Sequence, residues 1–469
     1  MMFATSGLHI HFVGIGGIGM SGIAEVLINL GYTVSGSDIK MGDATKRLAT
    51  LGGRIFEGHR PGNVNGADVV VVSSAVSSDN VEVRKAEHDG VPVIQRAEML
   101  AELMRLKFGV AVAGTHGKTS TTSLLATVMS EAGLDPTMVL GGKLNSIGSN
   151  AKLGRGDYMI VEADESDGSF LKLSPVLAVV TNIDPEHLDY YGSVDALEDA
   201  FERFVNKVPF YGAAILCMDH PRVQALIPRM RKRYLTFGLS EQADYRAVDP
   251  VFAGLESRFV VFRRGVEMGE VSLRMPGIHN VLNALAVVAV SRELGVDFYD
   301  VQKALAEFQG VERRFTIVGE ARGITVVDDY GHHPTEIMAT LVGARKSYPD
   351  SRVVAVFQPH RYSRVKRLWN EFARAFNRAD MVCVTDIYSA GENPIEGVTG
   401  GSLAGAIRKR GHRNVRHTGG FKETLSCLEN SLEEGDLVIT LGAGDVWRVG
   451  EELAALLKTG LRDKEEADS

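Results

Sequence analysis

Apolar, β-branched runs alternate with helix-period stretches along almost the whole chain, the pattern of strand-helix-strand units built around parallel sheets. Three series can be read. The first opens with a strand at 8–13, continues at 32–37 and 69–73, and fades after a helical stretch at 97–106. The second opens at 108–113, carries strands at 157–162, 176–182 and 213–217, and ends near Gly310. The third has strands at 324–328, 352–358, 381–385 and 436–441 with amphipathic helices between them. The pattern predicts an α/β protein of three domains: a Rossmann-like domain over 1–106, a P-loop-type mononucleotide-binding domain over 107–312, and a Rossmann-like open sheet over 313–469. The charged stretch 462–469 reads as disordered.

Composition narrows the class. With 45% hydrophobic and 23% charged residues, 51 Gly and 14 Pro, the 469-residue chain excludes collagen-like and wholly disordered proteins. No apolar run is long enough to span a bilayer, and residues 1–7 lack a basic segment followed by an apolar one, so a cytoplasmic protein is expected. A net charge of −8 argues against nucleic-acid and membrane partners and favours small molecules. Cys217, Cys383 and Cys427 are too few and too scattered for a disulfide framework or a CxxC metal site. The sequence assigns no oligomeric state.

Gly14, Gly16 and Gly19 form a GxGxxG turn directly after a strand, and Asp38 closes the next strand 19 residues beyond Gly19. Such glycines let the backbone approach a pyrophosphate while a helix start supplies free N–H groups, so any nucleotide diphosphate would serve. A tight turn with no ligand is the alternative. Ser73 and Ser74 end another strand and offer hydroxyl donors, or merely a turn.

In the second series, Gly114-Thr115-His116-Gly117-Lys118-Thr119-Ser120 follows a strand and opens a helix. The loop is a shortened phosphate cradle, since Val112 stands where a full Walker pattern needs its first glycine. In it Lys118 would reach the β/γ phosphates and the Thr119 hydroxyl could ligate Mg²⁺; a loop that only caps the helix is the alternative. Acidic residues from Glu162 to Asp167 cluster at a strand end, and Glu162 is the preferred Mg²⁺ carboxylate. His187 either ligates a second metal or holds a substrate carboxylate, or else caps the helix after it. Asn280 and Asn283 share a helix face and could read an adenine edge, unless Asn280 is a helix cap.

In the third series, the adjacent His332 and His333 make a zinc site possible on paper, but neighbouring side chains point apart and Pro334-Thr335-Glu336 is a good helix opening. Arg361 and Arg364 follow a central strand and suit a carboxylate or phosphate. Two phosphate-binding turns and an arginine pair describe an ATP-using enzyme with a nucleotide-linked substrate and an anionic second substrate.

Taken in order, GIGGIGMSG, AGTHGKTSTT, EADESDGSF, TNIDPEHLDYY, HNVLNA, DDYGHHPTE and QPHRYSR resemble the Mur ligase family, most of all its alanine-adding branch. The resemblance implies a cytoplasmic enzyme of peptidoglycan synthesis that joins L-alanine to the lactyl carboxylate of UDP-N-acetylmuramate through an acyl phosphate, with ATP and two Mg²⁺ sites. By position in those motifs, the catalytic residues would be Lys118, Glu162 and His187, with Thr119, Glu162 and His187 as metal ligands. ATP would meet residues 114–120, Asn280, Asn283, Arg314 and Asp329. The UDP substrate would meet Gly16, Gly17, Ile18, Gly19, Met20, Ser21, Asp38, Ser73, Arg96 and His187, and the amino acid Tyr330, His332, Arg361 and Arg364. A split site implies closure around the substrates. Some branches carry a carbamylated lysine 15 residues past the histidine; Glu202 stands there, so no lysine carbamate is expected. The rivals are a nucleotide-regulated binding protein and the related murein-tripeptide ligase. Selection among Ala, Ser and Gly stays open, because each methylene is worth only about 1–3 kcal/mol.

Overall fold

The computed structural model describes residues 7–73, 75–144 and 149–467. In the first sheet, strands β1 (His9–Val13), β2 (Thr33–Asp38), β3 (Arg54–Glu57), β4 (Val69–Val72) and β5 (Val93–Gln95) run parallel in the order β3-β2-β1-β4-β5. The order reverses between β1 and β4, which opens a crevice at their carboxyl ends where such sheets take ligands.

The second sheet has ten strands: β6 (Phe108–Ala113), β7 (Thr137–Leu144), β8 (Ser149–Lys152), β9 (Tyr158–Glu162), β10 (Leu177–Val180), β11 (Ala213–Cys217), β12 (Tyr234–Gly238), β13 (Tyr245–Ala253), β14 (Glu256–Arg263) and β15 (Val266–Leu273). Their order is β15-β14-β13-β12-β11-β10-β6-β9-β7-β8. β6, β10 and β11 are apolar almost throughout because both faces are covered. The edges were not anticipated: β8 pairs antiparallel with β7, and two-residue connections at Gly254-Leu255 and Arg264-Gly265 turn β13, β14 and β15 into hairpins. Arg264 and Gly265 both hold positive φ, 49° and 80°, as a primed hairpin turn requires.

The third sheet comprises β16 (Thr316–Ala321), β17 (Ile324–Asp329), β18 (Val353–Phe357), β19 (Met381–Thr385), β20 (Val415–Gly419) and β21 (Leu437–Leu441), in the order β16-β17-β21-β18-β19-β20. All pairs are parallel except β16 with β17. Phe357, Phe372 and Phe376 centre the core on one face, and Val326, Val438 and Leu453 lie in the core on the other. The tail read as disordered instead extends the last helix, Trp447–Ala467.

The chain divides into two compact units. One runs to Asp249 and includes Val260–Val271 and Leu282–Gln309; the other is Pro250–Phe259, Ser272–Val281 and the chain from Gly310 on. No helix among the described residues is long and apolar enough to cross a membrane.

Candidate active site

Strand β6 delivers Gly114–Gly117 to its carboxyl end, and the helix Lys118–Glu131 starts at once. The loop is fixed from below by the exit of β10. Thr181 Oγ1 and Asn182 Nδ2 donate to the His116 carbonyl at 2.6 and 2.9 Å, and the His116 N–H donates to Asn182 Oδ1 at 2.7 Å. Asp184 N–H donates to Thr115 Oγ1 at 2.8 Å. This tight packing explains the glycines: a Cβ on Gly114 would lie 2.1 Å from Thr181 Oγ1, and one on Gly117 would lie 2.6 Å from Asn283 Oδ1.

Lys118 turns its ammonium back over the loop, donating to the Gly114 carbonyl at 2.6 Å and to both oxygens of Glu165 at 2.8 and 3.0 Å. Burial works against its charge, but Glu165, Asp164 and Glu162 outweigh it and raise its pKa, so it stays protonated. Thr119 Oγ1 donates to Glu162, 2.9 and 3.1 Å from its two oxygens, and Ser120 is buried behind it.

The acidic cluster divides its labour. Asp164 and Asp167 accept the N–H groups of Ser166 and Ser169 at 3.0 Å each and shape the turn. Glu165 is buried, and burial pushes its carboxyl up despite the pull of Lys118. His187 stands before the helix Leu188–Tyr191 at φ 55°, yet its ring makes no capping bond. Its Nε2 lies 3.6 Å from Glu186 and 3.9 Å from Glu165. Glu202 faces Arg229 instead. Asn280 is no cap either: it sits inside the helix Ile278–Glu293, with its amide donating to the Pro276 carbonyl at 2.8 Å.

At the first crevice, the N–H groups of Gly14 and Ile15 both bond the Ser37 carbonyl, which folds the turn onto β2. Gly16 N–H donates to Asp38 Oδ2 at 2.8 Å, so this carboxylate holds the glycine turn. Gly17 caps the helix Ile18–Asn29, in which Ile18 is exposed and Met20 and Ser21 are buried. Arg96 covers the helix start; a Cβ on Gly19 would meet its Nη1 at 2.9 Å. Ser73 accepts the Ala75 N–H at 3.4 Å, a turn role, and Ser74 lies outside the described residues.

In the other unit, Asp329 ends β17 and accepts from Phe315 N–H, Gly331 N–H and the Thr340 hydroxyl at 3.0, 2.8 and 3.2 Å. Burial raises its pKa. The guanidiniums of Arg313 and Arg314 lie 5.1 and 5.3 Å from the Tyr330 ring centre. His332 turns to the Tyr330 carbonyl, 3.1 Å away, whereas His333 accepts the Thr335 N–H and caps the helix Pro334–Ser347; the two rings are set to different tasks. His360 stacks on Tyr388 at 5.3 Å, with Arg364 Nη1 3.4 Å from its Nδ1. Burial pushes both His332 and His360 down to about 4. Arg361 begins the next helix at φ 66°, its N–H tied to the Tyr388 carbonyl at 2.9 Å.

The model of the Mur ligase family catalytic domain matches residues 9–108, that of the Mur ligase middle domain 112–291, and that of the Mur ligase glutamate ligase domain 313–444. The chain belongs to the Mur ligase family. Among curated Mur ligases, the UDP-N-acetylmuramate--L-alanine ligase of Geobacter sp. (strain M21) is 57% identical over 449 residues, covering 96% of this chain and 97% of its own. The ligase of the same name from Myxococcus xanthus is 58% identical, covering 96% and 95%. The crystal structure of UDP-N-acetylmuramate-alanine ligase from Thermotoga maritima superposes with a TM-score of 0.81 at 32% identity, covering 97% of this chain and 100% of that one. The murein peptide ligase of Psychrobacter arcticus gives 0.69 at 25% identity, covering 96% and 98%.

Of the residues this Mur ligase sequence singled out, the structure gathers Lys118, Thr119, Glu162 and His187 around one loop, and Gly16, Gly19, Asp38 and Arg96 around another. Tyr330, His332, Arg361 and Arg364 assemble in the other unit with Arg314 and Asp329. Sequence reasoning passed over Glu165, Glu186, Arg313, His360 and Tyr388. Glu165, Glu186 and His360 stand inside recognisable motifs, but Lys118, His116 and Tyr388, which they meet, come from distant segments.

Proposed function

We propose that this Mur ligase forms the amide between the lactyl carboxylate of UDP-N-acetylmuramate and L-alanine, in the cytoplasm, as a step of peptidoglycan synthesis driven by ATP. The observation that carries this reading is the near full-length identity to ligases of that name. We assign residues 1–106 to the UDP substrate, 107–312 to ATP and 313–469 to the amino acid.

The chemistry sets the demands. A carboxylate resists attack by an amine because its leaving group would be oxide, so the lactyl oxygen first attacks the γ-phosphorus of ATP, ADP departs, and an acyl phosphate forms. The neutral amine then attacks the acyl carbon and phosphate leaves. Mur ligases use ATP. Lys118 exchanges Glu165 for the γ-phosphoryl oxygens, and the N–H groups at the start of the helix Lys118–Glu131 face the same charge. Thr119 and Glu162, a hydroxyl and a carboxylate in contact, offer the hard oxygens that Mg²⁺ takes, and His187 beside Glu165 and Glu186 suits a second ion or the lactyl carboxylate. An ion held by Thr119 and Glu162 would supply charge neutralisation to the phosphoryl oxygens.

Asn280 and Asn283 serve the adenine, and Arg314 and Asp329 the rest of the nucleotide. Gly16 to Ser21, Asp38, Ser73 and Arg96 hold the UDP moiety, the Arg96 guanidinium giving the pyrophosphate a counter-charge beside the helix start. Arg361 and Arg364 grip the amino acid's carboxylate, with Tyr330 and His332 around it. ADP release with Mg-ATP and UDP-N-acetylmuramate tests the reading. A requirement for L-alanine and a UDP-linked amide product sustains it; release with free tripeptide instead of alanine makes the chain a murein peptide ligase, and no release leaves a binding protein.

A further inference from the structure

The reaction described above leaves His220 without a role, yet this residue braces the phosphate loop from behind. It follows β11 and precedes the short helix Pro221–Gln224. Both ring nitrogens face the exit of β10: Nδ1 accepts the Ile183 N–H at 3.4 Å, and Nε2 lies 3.4 Å from Asp184 Oδ1. A backbone N–H can only donate, so Nδ1 is the acceptor and Nε2 carries the proton that Asp184 receives. The other carboxylate oxygen, Oδ2, meets His116 Nε2 at 3.1 Å. Two histidines on separate loops therefore share one carboxylate. Burial opposes the charge of Asp184, but the His116 and His220 rings against its two oxygens outweigh it and hold its pKa far below the carboxylate range.

The consequence reaches the nucleotide loop. Asp184 also holds Thr115 through its backbone N–H, and Asn182 and Thr181 hold the backbone of His116. A carboxylate held at one oxygen can swing, whereas one bracketed at both cannot. An aspartate beside an anion site also repels phosphate, less so when a donor on the far side draws its charge away.

We infer that His220 is a positioning residue for nucleotide binding: acting through Asp184, it fixes the His116 ring and the loop backbone at Thr115 and His116. The inference rests on the reading that ATP binds at residues 114–120. Calorimetric ADP binding and the three KM values, compared among the wild type and its Lys118→Ala, His220→Leu and His220→Gln variants, test it. His220→Leu is expected to weaken ADP binding and raise the KM for ATP about tenfold, the loss of one charge-assisted hydrogen bond, with the other KM values changed by less than about twofold. His220→Gln, whose amide donates over a similar reach, recovers most of that loss. In an Asp184→Asn background, His220→Leu adds nothing further. Unchanged ADP binding in the Leu variant, equal loss in Leu and Gln, or a parallel rise of all three KM values overturns the inference. Should Lys118→Ala bind ADP as the wild type does, the nucleotide reading itself is wrong; should Lys118→Ala lose ADP while His220→Leu keeps it, only the role of His220 falls.

Discussion

The Lys118 ammonium and the Glu165 carboxylate meet at 2.8 Å, with Glu165 only 1% exposed. An incoming phosphate must compete with this buried partner for the Lys118 ammonium at the loop's mouth. The pair is thus both a structural element and the ground state from which the phosphoryl group is engaged.

Lys118→Ala should lower turnover by about 10² or more, because one preorganised cation on a phosphoryl group is worth several kcal/mol. Rates of ADP release at saturating substrates check this; a loss below tenfold would remove Lys118 from the catalytic set.

Glu165→Ala leaves Lys118 buried with Asp164 and Glu162 as the carboxylates that still favour its charge. Truncating one partner of such a pair should cost about 3 kcal/mol of folding stability. Denaturant titration reads the loss directly, and an unchanged midpoint would mean that the other two carboxylates suffice.

Gly16→Ala places a methyl 2.8 Å from Asp38 Oδ2, where the carboxylate now accepts the glycine N–H. The side chain can swing away, so the fold should survive. The KM for UDP-N-acetylmuramate should rise by about tenfold from the lost turn geometry, with the KM for ATP unaffected. A rise in both constants would move the effect out of the first crevice.

Arg364→Ala should raise the KM for L-alanine by tenfold or more, about the worth of a charged hydrogen bond to a carboxylate, with little change for ATP. Initial rates against alanine concentration decide it.

Acid should weaken the second unit through His332. Burial puts its folded pKa at about 4, against 6.5 for an ordinary histidine, so between these values the unfolded chain binds a proton that the folded one refuses. Stability therefore falls as pH drops below 6.5, by about 2 kcal/mol at pH 5 for one such group. The ring faces Glu336, which favours its charge, and Arg364 and Arg314, which oppose it. His332→Gln should shrink the difference in unfolding free energy between pH 7 and pH 5 by that amount. Glu82, held down at about 2 against burial by His11, Ser37, Asn63 and Arg60, acts in the same direction over a lower range: its support is present above 4.5 and is lost as pH falls toward 2.

How much of this could be read in advance depended on distance along the chain. The two glycine turns and the Lys118-Thr119 pair announce themselves because their chemistry lies within one loop and the helix that follows. The parallel strands were legible because burial on both faces removes polar positions. The hairpins β13 to β15 were not, since their alternating, half-exposed residues resemble surface loops. Among the carboxylates 162–167, composition could not show that Glu165 turns inward to Lys118 while Asp164 and Asp167 stay with their own turn. His360 and Tyr388 stack across 28 residues, a relation that neither segment displays alone.

Arg361 occupies a backbone conformation that side chains other than glycine resist, at a standing penalty of about 1–3 kcal/mol. Mutational drift would ordinarily relax such a position toward glycine. Here that route removes the guanidinium proposed to grip the amino acid, so backbone ease and ligand recognition pull in opposite directions. A lineage that keeps the activity inherits the strain with it, and a glycine at this place in a descendant would mark a chain released from the original substrate.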